Sequence, residues 1–397
     1  MERRDADAYE FLAAALSDRG VDVAVVEARL RDQAIETPSW GYGDSGTRFA
    51  VFPQAGRPGD AFERIEDAAE VQRHTGVCPS VAVHIPWDRV DDWDALRDRA
   101  ATLGLRIGSI HPNLFQDADY RLGSVCNPDR AVRRKATEHL LECVDVAGRT
   151  GADIVSVWLA DGTNYPGQDD LAARRARLVE CLAEAYGAMS GGMRMLVEYK
   201  LYEPAFYHTD IADWGDALLV CRRLGDRAQV LVDLGHHAHG TNIERIVSTL
   251  LDEGCLGGFH FNDRKYGDDD LITGSVNPLQ LFLIHVELAG AAADDVAYAI
   301  DQSHNVEDKI AAMIVSVTNL QEAYAKALLV DRAALAEAQA AGDVVGAHEL
   351  VMEAYRTDVR PLCAKVRSDL EASPRPLEAH RTSGYSERAA ARRRGAP

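Results

Sequence analysis

Short apolar runs recur through the middle of the chain, and between them the apolar positions fall at the three- and four-residue spacing of helices. Ser80–His84, Leu105–His111, Ile154–Trp158, Met195–Glu198, Val230–Asp233, Gly258–Phe261 and Ala299–Asp301 read as strands. Asp91–Leu103, Asp129–Arg149, Asp170–Met189, Ile243–Leu251 and Pro278–Leu288 read as the helices between them. Two more helices are predicted within residues 7–33, with apolar positions at Tyr9, Leu12, Leu16, Val23, Val26 and Leu30 and a break at Arg19-Gly20. Glu307–Ala372 is helical in pattern and rich in Ala and Leu. The residues from about Pro374 onward are expected to be disordered.

Four of the runs end on residues of metal-ligand type: Glu198, Asp233, His260 and Asp301, separated by 35, 27 and 41 residues. This is the spacing of βα units. A (β/α)8 barrel uses about 250 residues for eight units and gathers the C-terminal ends of its strands at one face, so residues far apart in sequence meet there. Seven strands are clear through Asp301. The eighth is either Leu271–Thr273 or a segment near the N-terminus. The expected organisation is a helical arm and loop (1–75), an α/β catalytic domain folded as a (β/α)8 TIM barrel (76–306), and a C-terminal helical extension with a disordered tail (307–397).

Three carboxylates and one imidazole converging suit Mg, Mn or Co better than a closed zinc site. A single carboxylate at a strand end more often caps the next helix; four in register with βα spacing favour metal. His236, Asp268 and Asp270 form a second candidate group. His236 follows Asp233 by three residues, and Asp-x-Asp puts alternate carboxylates on one side of an extended segment. The bland reading of the triplet Asp268-Asp269-Asp270 is solvation, and at least one of His236, His237 and His239 is spare. Lys200 stands at i+2 from Glu198, on the same face, where it balances charge or donates to a substrate oxygen. Trp87, Phe115 and Trp158 lie at or just after strand ends, as a sugar-binding wall or as ordinary packing.

A formal charge of −20 argues against a nucleic-acid surface, and the basic run Arg392-Arg393-Arg394 reads as a solvated tail. Seven cysteines, scattered singly without a C-x-x-C pair, fit a reduced, cytoplasmic protein. No window approaches the ~18 apolar residues of a membrane span. The loop Thr37–Gly46 matches G-x-G-x-x-G, but with no strand read before it and no helix opening within it the match is discounted as a phosphate cradle. P-loop, G-x-S-x-G and H-E-x-x-H signatures are absent.

Ile35–Trp40 (IETPSW), His84–Asp88 (HIPWD), Asp161–Asp170 (DGTNYPGQDD), Leu196–Lys200 (LVEYK), Val232–His237 (VDLGHH) and Asp301–Asn305 (DQSHN) occur in that order. Over about Ile35 to Leu362 the chain resembles the bacterial L-rhamnose isomerases of broad-specificity type, relatives of xylose isomerase. The resemblance implies a homotetrameric (β/α)8 enzyme with two divalent ions, Mn2+ foremost and Mg2+ or Co2+ as alternatives. By motif, Glu198, Asp233, His260 and Asp301 hold a structural ion, and His236, Asp268 and Asp270 hold the catalytic one. Lys200, His84 and Trp158 touch the sugar. The implied reaction interconverts L-rhamnose and L-rhamnulose, with other aldoses such as D-allose also accepted. A metal-dependent keto-sugar epimerase, a phosphoester hydrolase on the same ligand set, and a non-enzymatic sugar-binding barrel are the alternatives.

Overall fold

The computed structural model describes residues 3–47, 50–291, 293 and 295–392. Eight parallel strands close into a barrel: β1 (Ile35–Pro38), β2 (Ser80–Ile85), β3 (Arg106–Pro112), β4 (Ile154–Trp158), β5 (Arg194–Glu198), β6 (Ala228–Asp233), β7 (Leu256–Phe261) and β8 (Ala297–Ile300). Ile35 pairs with Tyr298 and Glu36 with Ser80, so β1 joins β8 to β2 and completes the ring. The missing eighth strand is therefore the N-terminal tetrapeptide, inside the stretch expected to be an arm. Leu271 forms only an isolated bridge with Asp263. All four residues of β1 are buried. A short strand covered on both faces has no polar alternation to betray it.

Helices α1 (Arg3–Asp18) and α2 (Val23–Arg31) precede the barrel. The seven crossovers carry α3 (Ala61–Thr75), α4 (Trp93–Thr102), α5 (Arg130–Thr150), α6 (Leu171–Ala188), α7 (Trp214–Leu224), α8 (Ile243–Asp252) and α9 (Pro278–Ala291). After β8 come α10 (Lys309–Leu328), α11 (Arg332–Ala341), α12 (Val344–Arg356), α13 (Arg360–Asp369), α14 (Pro376–Thr382) and α15 (Tyr385–Ala391). Much of the acidic excess starts these helices. Asp22, Asp60, Asp92, Asp129, Asp170, Asp213, Asp308, Asp331 and Asp343 each accept backbone N–H bonds as N-caps. Such a cap contributes roughly 1 kcal/mol and also meets the positive end of the helix dipole.

Each crossover helix buries one stripe against the barrel. In α8 the stripe is Ile243, Ile246, Val247 and Leu250, each contributing about 1.5–3 kcal/mol of burial. A second core lies outside this ring, where Leu16, Val26 and Leu30 of the N-terminal helices meet Leu362 and Val366 of α13 and Phe282 of α9. The two ends of the chain thus share one hydrophobic layer.

The C-terminal stretch departs from expectation. Residues 376–391 form α14 and α15 instead of a disordered tail, and His380 is 2% exposed. His380 Nδ1 lies 3.1 Å from Glu70 Oε1, Tyr385 Oη donates to Asp67 at 2.6 Å, and Arg392 pairs with Asp67 at 2.8 Å. Its polar, Arg-rich composition hid this because the partners are acids on α3. Arg393 and Arg394 lie outside the described residues.

A strand, β1, does precede the glycine-rich loop, contrary to the reading of its sequence. The chain then makes a 3-10 turn (Ser39–Tyr42) and a short hairpin, and no α-helix begins until Ala61. A Cβ on Gly41 would meet Met313 and Pro38, so that glycine serves close packing. Among the described residues no helix is long and apolar enough to cross a membrane.

Candidate active site and metal centre

Glu198 ends β5, Asp233 ends β6, His260 lies near the end of β7, and Asp301 follows β8. The barrel brings one donor atom from each within 4.8 Å of the others. His260 Nδ1 lies 3.2 Å from Glu198 Oε1, 3.3 Å from Asp301 Oδ2 and 3.9 Å from Asp233 Oδ2. Asp233, His236 and Asp268 form a second set that shares Asp233, with His236 Nε2 3.1 Å from Asp268 Oδ1. Asp270 lines the same cavity, in a left-handed backbone conformation at φ 47°, but is not part of that compact set. Gly235 makes the crowding possible: a Cβ there would lie 3.0 Å from Asp268 Oδ1 and 3.2 Å from Asp233 Oδ1.

The electrostatics are those of a site rich in negative charge. Burial opposes ionisation of Glu198, yet His260 and His236 beside it hold its carboxyl far below the usual range. Burial raises Asp233 to about 7, with Glu198 and Asp268 adding to the rise. Burial pushes Asp270 well up, helped by Asp268 and Asp301. His260 is raised to about 9 because Glu198 outweighs its desolvation. The positive groups beside these acids are the two imidazoles, Arg264, which acts on Asp233, and Lys200, whose Nζ lies 2.6 Å from Asp268 Oδ2.

This donor set fits divalent cations. Oxygen donors dominate, with one imidazole per set. His260 Nδ1 and Asp268 Oδ1 are buried and form no hydrogen bond despite their charged neighbours. His236 Nδ1 donates to the Tyr199 carbonyl at 2.9 Å, which leaves the Nε2 lone pair for the site.

Opposite the acids stands an aromatic wall. His84 stacks on Trp87 at 3.7 Å, and Phe115 lies 4.8 Å from Trp158. Lys200 Nζ sits 5.1 Å over the Trp158 ring. The cavity between the wall and the acids is about 190 Å3. His84 Nδ1 and Trp158 Nε1 are buried without partners, and burial keeps His84 neutral by lowering it to about 3.

The sequence profile of the "Xylose isomerase-like TIM barrel" family matches residues 81–280. The chain is 44% identical to a "Probable sugar isomerase" of Rhizobium meliloti (strain 1021), over 98% of this chain and 94% of that one. A protein of the same description from Mesorhizobium japonicum is 43% identical over 97% and 92%. This chain belongs to the xylose isomerase-like TIM barrel family. Among solved structures, an L-ribulose 3-epimerase matches in fold with a TM-score of 0.56 at 18% identity, covering 75% of this chain and 98% of that one.

In this xylose isomerase-like barrel several residues of the site were not singled out from the sequence. Trp40 Nε1 donates to Asp301 Oδ1 at 2.7 Å, and the Asn262 amide donates to both oxygens of Asp233 at 3.0 Å. His111 lies between Trp40 and His260, with ring centroids 4.8 and 5.4 Å away. Trp40 stood in a loop set aside as structural; its distance of 261 residues from Asp301 left nothing local to read. Asn262 follows His260 by two residues, on the same side of the strand as that ligand, and this spacing was an available clue. Of the three histidines among which at least one was expected to be spare, His237 hydrogen-bonds with Tyr199 Oη at 2.7 Å, and His239 is exposed.

Proposed function

We propose that this protein is a divalent-metal-dependent aldose–ketose isomerase, acting on L-rhamnose and L-rhamnulose and on further aldoses such as D-allose. The observation that carries the reading is the charge count of the cavity. Among the groups of the two donor sets and the cavity lining, Glu198, Asp233, Asp268, Asp270 and Asp301, once all are ionised, face one amine, Lys200, which leaves four negative charges in excess when the imidazoles are neutral. Two divalent ions balance that excess. The relatives described as sugar isomerases support the reaction class, and the motifs around Glu198, Asp233 and Asp301 support the sugar.

Bound divalent ions would supply Lewis acidity to a sugar carbonyl and the adjacent hydroxyl. The protein's own groups do the rest. Lys200 stays protonated because Asp268 outweighs its burial, and it donates to the sugar oxygen on which charge develops. His84 Nδ1 and Trp158 Nε1 offer unpaired hydrogen-bonding atoms to hydroxyls. The aromatic wall excludes water. A cavity of 190 Å3, below the ~300–1,000 Å3 of drug-sized sites, suits one monosaccharide and not a polymer. The same resemblance implies a homotetramer, which sedimentation at four times the chain mass would support.

The test is turnover of L-rhamnose by chelator-stripped protein before and after addition of Mn2+, with ketose as the readout. Activity restored by the ion supports the proposal. No ketose from a panel of aldoses, together with exchange of a keto-sugar's C3 hydrogen, would transfer the site to epimerisation.

A further inference from the structure

The motif Ile35–Trp40 contains one buried acid that the chemistry above does not use. Barrels of this architecture are packed through their interior by layers of branched side chains. Below the site the layers here contain Glu36, Ser80 and Ser109, and a cavity of about 520 Å3 remains, open to solvent at the strand starts near Arg106 and Asp153 and also lined by Arg194, Gln229 and Ser156. Polar cavities hold water and only apolar ones stay dry; at roughly 30 Å3 per molecule this one has room for about fifteen waters or more. Ser156 Oγ, 2% exposed and without a protein partner, lines both this chamber and the site cavity above it.

Glu36 is 9% exposed, and Ser109 Oγ donates to its Oε1. Its other oxygen occupies the space over Gly108, where an added Cβ would lie 1.7 Å from Oε2. Glycine at 108 therefore makes room for the carboxylate. Ser109 has a single proton, and its bond to Glu36 Oε1 commits it. The 2.9 Å contact between Ser109 Oγ and His111 Nε2 is then donated by His111, which fixes the Nε2–H tautomer. The His111 ring lies nearly parallel to that of His260, at 24°, and edge-on to Trp40, which holds Asp301. Turning His111 would disturb both supports.

We propose that Glu36 is a positioning residue that acts through Ser109 to hold His111 in one tautomer and orientation beneath the metal-type ligands, and that its chamber is filled with water reaching the site floor at Ser156. The kinetic arm of the test rests on the isomerase reading; the other two arms do not.

In Mg2+-loaded protein carrying 15N-labelled histidine, long-range proton–nitrogen spectra are expected to show His111 as Nε2–H. Ser109→Ala and Glu36→Leu are expected to mix the tautomers, and Glu36→Gln, which keeps an acceptor for Ser109, to restore the wild-type form. A wild-type Nδ1–H form, or no change in Ser109→Ala, overturns the positioning role. With an aldose substrate, Glu36→Leu is expected to lower kcat about tenfold or more, as loss of an outer partner does. KM is expected to stay within about twofold and Glu36→Gln to recover most of kcat. Wild-type kcat in Glu36→Leu overturns the proposal. If Glu36→Leu fails to fold, Ser109→Ala carries both readouts. A wild type that turns over no aldose sinks the isomerase reading and leaves the spectra to judge this one. Ordered waters on Ser156 Oγ and Glu36 in a high-resolution crystal structure are expected; a dry or collapsed chamber overturns the water-filled half.

Discussion

Two buried clusters of carboxylates and imidazoles in this molecule look alike on paper and behave oppositely. Glu70, His74 and His380 bring their donor atoms within 4.8 Å of one another, as Glu198, Asp233, His260 and Asp301 do. At Glu70 the cations are built in. Arg73 pairs with it at 2.8 Å, and His380, raised to about 9 by Asp308 and Glu70 against its desolvation, is protonated at neutral pH. Glu70 and Asp308 face Arg73 and His380, so the charges cancel. At the barrel mouth five carboxylates face Lys200 and the imidazoles of His236 and His260, which are raised as His380 is and could hold an ion only by giving up those protons. Convergence of ligand-type residues marks both places; the surplus of carboxylates over cations marks only the second as suited to ions. The first is a clasp that fastens α14 to α3.

The comparison breaks most visibly if His236→Ala retains activity. That substitution removes the only imidazole of the second donor set, and turnover is expected to fall by more than the ~10–100-fold of an outer-partner loss, with the far-ultraviolet circular dichroism unchanged. Next in size is the clasp. Glu70→Ala leaves His380 and Arg73 without their shared carboxylate and is expected to cost about 3–5 kcal/mol of stability in urea unfolding. Its kcat per folded molecule should match wild type; a large loss of kcat would show that the two clusters are not separate. Trp40→Phe keeps an aromatic ring, though a smaller one, and deletes the donor to Asp301, so metal titration is expected to show roughly 10–100-fold weaker binding of one ion.

The smallest effect is one of pH. His380 is raised in the folded state, so its contribution is complete below the unfolded imidazole value and lost as pH rises through about 9. The urea midpoint is expected to fall between pH 7 and 10 in wild type, and this step should shrink in His380→Ala, leaving the part that His260, also raised to about 9, supplies. A step of unchanged size there would assign it to another group.

The convergence of the strand-end side chains was legible because a parallel barrel turns strand order into spatial proximity, whatever the loops do. Seven of its strands carry apolar runs ending on the residues that matter, so Glu198, Asp233, His260 and Asp301 could be named from spacing alone. His236 and Asp268 followed from their neighbours. The remaining features depend on partners distant in sequence. β1 is four residues long and buried on every side, and only pairing with Tyr298 and Ser80 makes it a strand. Trp40 becomes a support for Asp301, and Glu36 an acid inside the barrel, only once the ring closes. The C-terminal arginine-rich helices look like a solvated tail until α3 presents Asp67 and Glu70 to them. Local pattern determined which segments are strands and helices and which residues end them, because those follow from periodicity. Which polar groups are balanced and which are left in want of an ion was decided by tertiary contact, because compensation of charge is a property of neighbours in space.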